Sequence, residues 1–226
     1  KASALHLYDN GKILVGGTID EGSVNSRMMV QRYNSDGSLD GTFNGGSVVL
    51  PKQSNHGSTG DVFKDFKVTA DGKITLVGES IATTFDMSLV IFRIDENGAL
   101  DITFDGDGIY SKHWSPGLYQ EQWNSIAISS DGSIFVGGGL LTHSAANANI
   151  AIVKLNSDGS EDNTWGSSNT SIYHQRISTY NIQEQIFKIK LVKNGNFVAG
   201  FIRPRSQNVL MHKFCFKSMW IRFSIR

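Results

Sequence analysis

The stretch NSDGSLDGTF, residues 34–43, recurs twice further along the chain, and this repetition decides the fold. The two copies are DENGALDITF at residues 95–104 and NSDGSEDNTW at residues 156–165. The turn glycines of the three copies are spaced 61 and 61 residues apart. Self-similarity at a fixed period is the sequence signature of repeat architectures. We therefore interpret the chain as a series of units of about sixty residues.

A second motif keeps the same period. An Asn-Gly or Asp-Gly pair followed by an apolar strand occurs as DNGKILVGG, ADGKITLVG, SDGSIFVGG and KNGNFVAG. The glycines of these pairs are spaced 61, 60 and 63 residues apart. Such pairs suit the tight turn of a β-hairpin, because both residues tolerate a left-handed backbone. Two independent motifs that share one period indicate four units, of which the last lacks the polar turn.

Each unit predicts four short antiparallel strands. Apolar residues alternate in strand one, as at Phe66 and Val68, which places them on one face of a sheet. Strand two follows the hairpin turn, strand three precedes the polar turn, and strand four begins at its Thr-Phe or Thr-Trp pair. We expect a close backbone approach or a bend where strand two reaches a glycine. These glycines are Gly16, Gly78, Gly137 and Gly200.

Four antiparallel strands per unit are typical of a propeller blade, so the predicted fold is an all-β β-propeller with about four repeats. A β-solenoid is the alternative, disfavoured because its coils are shorter. We assign residues 1–226 to one repeat domain, with units at about 1–60, 61–119, 120–182 and 183–226. A closed four-bladed ring is favoured because a half-ring would expose a large apolar face. Part of a larger ring, as a monomer or an edge-paired dimer, is the alternative.

Composition fits a packed domain and shows one asymmetry. Hydrophobic residues make up 39% of the chain, and the single cysteine, Cys215, excludes an intrachain disulfide. No apolar run reaches the roughly 18 residues of a membrane span. Residues 1–182 hold 12 Lys and Arg against 20 Asp and Glu, whereas residues 183–226 hold 9 against 1. We expect an atypical tail at 214–226, from a truncated or frame-shifted gene end rather than a basic anchor.

The two motifs together resemble a known family. NGKILVGG is followed by YNSDGSLDGTF, DGKITLVG by IDENGALDITF, and DGSIFVGG by LNSDGSEDNTW. This pairing, repeated over about residues 5–213, resembles the bacterial delta-60 repeat family. The resemblance implies a β-propeller repeat of large exported or cell-surface bacterial proteins. The function of that family is largely undefined, so the resemblance implies no catalytic residues. Unit four departs from the pattern, because CFKSMWIRFSIR stands where the polar turn belongs.

Calcium is the only cofactor for which the sequence offers candidate ligands. The polar turn is rich in side-chain oxygens, which calcium favours. In TFDGDG, Asp105 and Asp107, with the nearby Asp101, partly match the spacing of an EF-hand loop. The favoured alternative is structural, because Asx side chains hydrogen-bond the backbone of their own turn. We otherwise expect no cofactor.

An aromatic segment, KHWSPGLYQEQW, interrupts the repeat between units two and three. Exposed aromatic rings stack on sugars or anchor protein partners. The candidate ligand-binding residues are His113, Trp114, Tyr119 and Trp123, and packing of the loop is the favoured alternative. By contrast, we expect the aromatics that begin strand four, Phe43, Phe104 and Trp165, to pack in the core.

No motif of a nucleophile elbow, phosphate loop or dinucleotide site is present. We therefore expect a non-enzymatic binding or scaffolding module of an exported or cell-surface bacterial protein, with variable loops on a repeated frame. Its expected partner is a carbohydrate or a protein, not nucleic acid. The alternative is a hydrolase of glycans or esters with its site at the propeller axis. A degraded gene product without activity is a third interpretation.

Overall fold

The computed structural model describes most of the chain. The described residues are 1–20, 26–49, 51, 60–83, 86–114, 120–141, 148–166, 170–175, 185–192, 196–202 and 209–214. They form two compact parts, the first unit (Lys1–His113) and the second unit (Trp114–Arg226). The four sixty-residue segments identified in the sequence are called repeats from here on. Tyr119 and the tail from residue 215 onward, to which several predictions refer, lie outside the described residues.

The first unit contains repeats one and two. Its strands are β1 (Ala2–Leu7), β2 (Ile13–Asp20), β3 (Ser26–Tyr33), β4 (Gly60–Val68), β5 (Ile74–Thr83), β6 (Asp86–Ile94) and β7 (Ile109–Lys112). β1 to β3 pair antiparallel in repeat one, and a bridge between Val30 and Val49 adds a fourth position to that sheet. β4 to β7 form a complete four-stranded antiparallel sheet in repeat two.

The second unit contains repeats three and four. Its strands are β8 (Gln120–Ile128), β9 (Ile134–Leu141), β10 (Ala148–Leu155), β11 (Ile172–Gln175), β12 (Gln185–Val192), β13 (Asn196–Ile202) and β14 (Val209–Phe214). β8 to β11 form a four-stranded antiparallel sheet, and β12 to β14 a three-stranded one. The prediction of a β-propeller with about four antiparallel repeats, the last one incomplete, is thereby confirmed. The helices among the described residues include none long and apolar enough to cross a membrane.

The hairpin between strands one and two contains a β-bulge in every repeat. The register shifts between Ala2 and Ala4 in repeat one, and at the equivalent place in the other three repeats. Opposite the bulge stand Gly17, Gly78 and Gly138 in repeats one to three. A Cβ atom added there would lie 1.9 to 2.1 Å from a backbone carbonyl oxygen. Only glycine fits such an approach.

This register corrects the sequence alignment of the strand-two glycines. The expected close backbone approach occurs at Gly78, but in repeats one and three it lies one residue further on than predicted. Gly16 and Gly137 instead pair with the residues that follow the bulge, Ala4 and Ser125. The glycine that meets the backbone lies six residues after the hairpin glycine in all three repeats, and the error arose because repeats one and three were aligned on the first glycine of a Gly-Gly pair.

Gly16 and Gly137 mark where one repeat packs against the next. A Cβ added at Gly16 would lie 2.7 Å from ring atoms of both Phe63 and Phe66 in β4 of repeat two. A Cβ added at Gly137 would lie 2.7 Å from Ile186 in β12 of repeat four. Strand one of a repeat therefore covers strand two of the preceding repeat in both units. Burial of one such side chain contributes about 1.5–3 kcal/mol.

The aromatics that begin strand four mostly pack as expected. Phe43 and Phe104 are buried, and Phe43 belongs to the core shared by repeats one and two. Trp165 is only half-buried, and packs edge-on against Phe135 with ring centroids 5.9 Å apart. Core packing is confirmed for the two phenylalanines and is partial for the tryptophan.

Candidate functional site

The last aspartate of the polar turn lies at the centre of a partly buried polar cluster. In repeat two, Asp101 Oδ2 lies 2.7 Å from Arg93 Nε and 2.9 Å from Lys73 Nζ. Asp101 Oδ1 accepts hydrogen bonds from the backbone N–H and the hydroxyl of Thr103, at 3.1 and 2.6 Å. Burial alone would raise the pKa of Asp101, but the Thr103 and Lys73 hydrogen bonds and the Arg93 charge hold it well below its ordinary value.

Repeat one contains the same cluster and extends it to repeat two. Asp40 Oδ2 lies 2.5 Å from Arg32 Nε and 2.8 Å from Lys12 Nζ. Arg32 also donates from Nη1 to the Glu96 carbonyl of repeat two at 2.8 Å, and from Nη2 to the Thr42 hydroxyl at 3.1 Å. Burial opposes ionisation here too, yet hydrogen bonds from Lys12, Thr42 and Arg32 keep the pKa of Asp40 well below its ordinary value.

Repeat three builds the cluster with lysine. Lys154 Nζ lies 2.5 Å from Asp162 Oδ2, while Thr164 donates to Oδ1 from its N–H at 3.0 Å and from its hydroxyl at 2.6 Å. The pKa of Asp162 is again lowered: burial would raise it, but the hydrogen bonds of Lys154 and Thr164 outweigh that effect. Repeat three thus reproduces the aspartate, the threonine and the strand-three cation of the first-unit clusters, but Ser133 stands where Lys12 and Lys73 supply a second cation.

Sequence reasoning missed this cluster, although the sequence carries its signal. A cation stands eight residues before the aspartate in each repeat that has the polar turn. The pairs are Arg32 with Asp40, Arg93 with Asp101, and Lys154 with Asp162. The two guanidinium groups also stack on the aromatic that follows, at 4.7 Å from the Phe43 centroid and 4.5 Å from the Phe104 centroid.

The other side chains of the polar turn hydrogen-bond the turn itself. Asp36 Oδ1 accepts from the Ser38 N–H at 2.9 Å, and Asp158 Oδ1 from the Ser160 N–H at 3.0 Å. Asp95 Oδ1 accepts from two backbone N–H groups of its turn, each at 2.9 Å. These are the contacts that the structural interpretation of the motif predicts.

The three calcium candidates have different surroundings. Asp101 is held by the two cations of its cluster, Asp107 accepts from the Ile109 N–H at 2.8 Å, and Asp105 is exposed with φ of 50°. Within the described part of the chain, no three His, Cys, Asp or Glu side chains form a group that could hold a metal ion. Calcium at these residues stays a prediction.

The aromatic segment is partly a packing element. Trp123 is fully buried, with its Nε1–H donating to Glu121 Oε2 at 3.1 Å. Trp114 is half-buried, its ring centroid 5.5 Å from that of Trp123, and its N–H donates to Glu121 Oε1 at 2.5 Å. Trp123 therefore offers no ring face to a ligand. His113 is half-buried, and Tyr119 lies outside the described residues.

A pocket of about 480 Å³ lies between repeats one and two of the first unit. Its wall is formed on one side by the hairpin turn and polar cluster of repeat one, and on the other by the two turns of repeat two. The lining residues are Tyr8, Asn10, Lys12, Arg32, Thr42, Ala70, Asp71, Gly72, Glu96 and Asn97. Sequence reasoning did not identify this pocket.

Two residues distinguish this pocket from the general plan of the repeat. Tyr8 occupies the position of Thr69 in repeat two and Ser129 in repeat three, since each of the three donates its N–H to the residue four further on. Thr69 and Ser129 bond the aspartate two residues on, whereas the Tyr8 ring lies edge-on to His6 with centroids 4.7 Å apart. Glu96 likewise stands where the other two polar turns have serine. It therefore adds a carboxylate to the pocket lining on the side of repeat two.

Contacts between repeats one and two hold the two sides of the pocket together. Besides the Arg32 bond to the Glu96 carbonyl, the Asn44 N–H donates to the Asn97 carbonyl at 2.8 Å. A Cβ added at Gly98 would lie 2.9 Å from Val49, so the turn of repeat two is pressed against repeat one. These contacts fix the spacing of the two walls.

The comparisons with known proteins agree with this architecture. A family model described as a domain of unknown function (DUF5122) β-propeller matches residues 9–43 and 129–164. Both segments run from the hairpin turn of a repeat to its polar turn, so the chain carries repeats of a β-propeller kind. None of the curated proteins matches the chain significantly.

Solved structures share the fold at low sequence identity. A polysaccharide lyase of family PL25, an ulvan lyase bound to -[GlcA(1-4)Rha3S]-, is similar with a TM-score of 0.53 and 11% identity, over 92% of this chain and 54% of its own. A glucose dehydrogenase has a TM-score of 0.52 and 10% identity, over 92% and 58%. Arabinanase Arb43A of Bacillus subtilis has a TM-score of 0.53 and 13% identity, over 97% and 74%. The chain thus spans little more than half the length of the first two.

Proposed function

We propose that the chain is a non-enzymatic module that binds a carbohydrate in the pocket between repeats one and two. The observation that carries the proposal is the combination in one pocket of an aromatic ring, Tyr8, with amide and carboxylate groups. Asn10, Asn97, Asp71 and Glu96 supply those groups. Small-ligand sites have volumes of about 300–1,000 Å³ and contain a few placed polar groups, a range that includes this pocket.

The chemistry of the wall suits a neutral sugar. An aromatic ring offers an apolar face to the C–H groups of a pyranose, while amides and carboxylates hydrogen-bond its hydroxyls. The two cations of the pocket, Lys12 and Arg32, are already engaged by Asp40. They therefore leave little positive charge for an anionic ligand, and the proposal is a neutral oligosaccharide.

The known proteins with this fold support the choice of ligand class. The ulvan lyase was solved with a bound saccharide, and the glucose dehydrogenase and the arabinanase are named for sugars. The finer resemblance to the bacterial delta-60 repeats, and with it an exported or cell-surface location, belongs to the same proposal.

The test exchanges pocket residues for those of equivalent positions in other repeats. Tyr8→Thr copies Thr69, and Glu96→Ser copies Ser157, so both substitutions follow the repeat's own plan. Binding of the wild type to an array of neutral glycans identifies a ligand, whose Kd is then measured by calorimetry. We expect each variant to weaken binding at least tenfold. Thr69→Ser, which copies Ser129, is the control and should leave the Kd unchanged.

The same experiment contains the outcomes that contradict the proposal. Tyr8 packs against the core of the first unit, so the melting temperature of each variant is measured alongside its Kd. A glycan that binds equally well to wild type and both folded variants would place the site elsewhere. Absence of any glycan binding, with a protein captured instead, would show that the partner is a protein.

A hydrolase is the second candidate, and one recurrent feature favours it. Asp61 and Glu121 occupy equivalent positions near the start of strand one in repeats two and three, and each is 1% exposed. A buried carboxyl group is what a glycan-hydrolysing enzyme uses as its general acid, and the acid of each unit is tested by itself. If either Asp61→Asn or Glu121→Gln abolished release of reducing sugar from a polysaccharide panel, this candidate would replace the binding module. No release by the wild type would remove it.

A further inference from the structure

Three Asn-Gly pairs lie among the described residues, and their turns differ. The pairs are Asn10-Gly11, Asn44-Gly45 and Asn97-Gly98, whereas Asn194-Gly195 lies outside the described residues. A glycine without a side chain lets its backbone nitrogen approach the side-chain carbonyl carbon of the asparagine before it. The reaction of such a pair in the folded protein therefore depends on whether the glycine nitrogen is already held by a hydrogen bond.

In two of the pairs the glycine nitrogen is held within its own turn. The Gly11 N–H donates to the Tyr8 carbonyl at 2.9 Å, and the Gly98 N–H donates to the Asp95 carbonyl at 3.1 Å. In each turn the asparagine is the third residue and the glycine is the fourth, which closes the turn. Either nitrogen becomes available only after its turn has opened.

The third pair lies in a turn of another kind. Asn44 has φ of 49° and Gly45 has φ of 64°, and the Gly46 N–H donates to the Phe43 carbonyl at 2.9 Å. Two left-handed central residues are typical of a type I′ turn, which places the glycine third instead of fourth. Within the described part of the chain the Gly45 N–H makes no hydrogen bond, and a Cβ added at Gly45 would meet nothing within 4 Å.

We propose that Asn44 is a site of deamidation in the folded protein. The Gly45 nitrogen forms a bond to Asn44 Cγ, the Cγ–Nδ2 bond breaks, and ammonia leaves with the proton of the attacking nitrogen. The product is a five-membered succinimide. Water then opens the ring at one of its two carbonyls, which yields aspartate or isoaspartate. Solvent supplies that water, because both residues are exposed.

The contacts of Asn44 restrain its side chain only weakly. Asn44 Nδ2 donates to the Ser47 carbonyl at 3.4 Å and to the Val48 carbonyl at 3.1 Å, and both bonds are exposed. Such bonds exchange with bonds to water at little net cost. The left-handed backbone of Asn44 is itself unfavourable for a residue with a Cβ atom. Rotation of Asn44 toward the Gly45 nitrogen therefore meets little resistance.

The modification would weaken a contact between repeats one and two. The Asn44 N–H donates to the Asn97 carbonyl at 2.8 Å. A carboxylate at position 44 would face the Ser47 and Val48 carbonyls, which accept hydrogen bonds and cannot donate them. Isoaspartate would also lengthen the backbone by one carbon at this point. The inference does not rest on the proposed binding of a carbohydrate.

The test follows all three pairs by peptide mapping and mass spectrometry. The folded 226-residue chain is incubated at mildly alkaline pH below its melting temperature, and electron-transfer fragmentation distinguishes aspartate from isoaspartate. We expect Asn44 to deamidate at least about fivefold faster than Asn10 and Asn97, because a turn hydrogen bond must first break at each of those two. In concentrated urea, where the turns unfold, the three rates should become similar.

Two results would overturn the proposal. One is an equal rate for the three pairs in the folded chain, and the other is a faster reaction at Asn10 or Asn97. The matched variant is Asn44→Gly, which suits a left-handed backbone but cannot form the succinimide. The melting temperature of the wild type should fall further during incubation than that of Asn44→Gly. An equal fall in both proteins would overturn the effect on the contact between repeats one and two.

Discussion

The polar clusters of repeats two and three arise from nearly the same turn sequence but differ in the cations that hold them, since repeat two has Arg93 with Lys73, whereas repeat three has Lys154 and a serine in place of Lys73. Arg93 makes a hydrogen bond to Asp101, a second to the Thr103 hydroxyl at 3.2 Å, and stacks on Phe104. Lys154 makes the bond to Asp162, and its ammonium lies 5.8 Å from the Phe135 centroid. The planar guanidinium group of arginine can contact a carboxylate, a hydroxyl and an aromatic ring at the same time, whereas the compact ammonium group of lysine cannot.

The aromatic residue that follows each turn also differs in burial between the two repeats. Phe104, beneath Arg93, is fully buried, whereas Trp165, in the lysine repeat, is half-buried. Repeat four carries the comparison one step further: Lys213 occupies the place of the cation, but Ile221 stands eight residues on, where the aspartate belongs. The cation on strand three is therefore retained in a repeat that has lost the turn it would hold.

The largest effect is expected from removal of the aspartate in repeat two. Asp101→Ala leaves the buried guanidinium of Arg93 without its counter-ion, so we expect a loss of about 3 kcal/mol in the free energy of unfolding. Asp162→Ala should cost less, about 1.5 kcal/mol, because Lys154 can turn toward water. Urea denaturation measures both, with the exposed Asp9→Ala as control. Equal losses for the two variants would contradict the comparison.

Acid should reveal the same cluster without mutation. The folded pKa of Asp101 is lower than the unfolded value of about 3.9, so its contribution to stability is complete above that pH. The contribution is lost as the pH falls from about 4 towards the folded pKa. Denaturation at pH 5, 4, 3 and 2 should show a smaller loss of stability on acidification for Asp101→Asn than for the wild type. Parallel curves of stability against pH for the two proteins would show that Asp101 does not contribute to the loss of stability in acid.

A smaller effect tests the cation itself. Arg93→Lys keeps the charge but loses the bond to the Thr103 hydroxyl and part of the ring contact, so we expect a loss of about 1.5 kcal/mol. Lys154→Arg places a guanidinium group in repeat three, and we expect the free energy of unfolding to stay the same or to rise by about 0.5 kcal/mol. Melting and urea curves of the two variants report the sign. A destabilising Lys154→Arg would show that repeat three lacks room for the guanidinium group.

The smallest change removes one hydroxyl. Thr103→Val deletes the bond to Asp101 Oδ1 but preserves the backbone donor, so we expect a loss of about 0.5–1 kcal/mol. Thr164→Val should have a similar cost, because Asp162 uses the same two donors. Thermal unfolding of the pair measures the difference, and a loss for one variant alone would show that the two turns are not equivalent.

The sequence predicted the repeat and the strands because their signals are local. Asn-Gly and Asp-Gly pairs specify hairpin turns through their own backbone preferences, and the alternation in strand one specifies a face. The position of the strand-two glycine was wrong in repeats one and three by one residue. Consecutive glycines occur in those two repeats, and only the glycine opposite the bulge of strand one meets a backbone carbonyl.

The candidate site was harder to predict, because its parts are distant in sequence. The pocket joins Tyr8 of the first hairpin to Glu96 of the second polar turn, and no spacing rule relates those positions. The pairing of Arg93 with Asp101 could have been found from its recurrence at eight residues. By contrast, the burial of Trp123 depends on its bond to Glu121 and on the neighbouring strand, which composition does not reveal.

The central claim is that the two repeats of each unit stack, with strand one of the second repeat covering strand two of the first. A double-mutant cycle between Gly16 and Phe63 tests it most directly, because a Cβ at Gly16 would lie 2.7 Å from the Phe63 ring. We predict that Gly16→Ala costs about 2 kcal/mol in the wild type and at least about 1 kcal/mol less in Phe63→Ala. Gly41→Ala, which meets nothing within 4 Å, should be additive with Phe63→Ala. Additivity of Gly16→Ala and Phe63→Ala to within about 0.5 kcal/mol would contradict the stacking of these repeats.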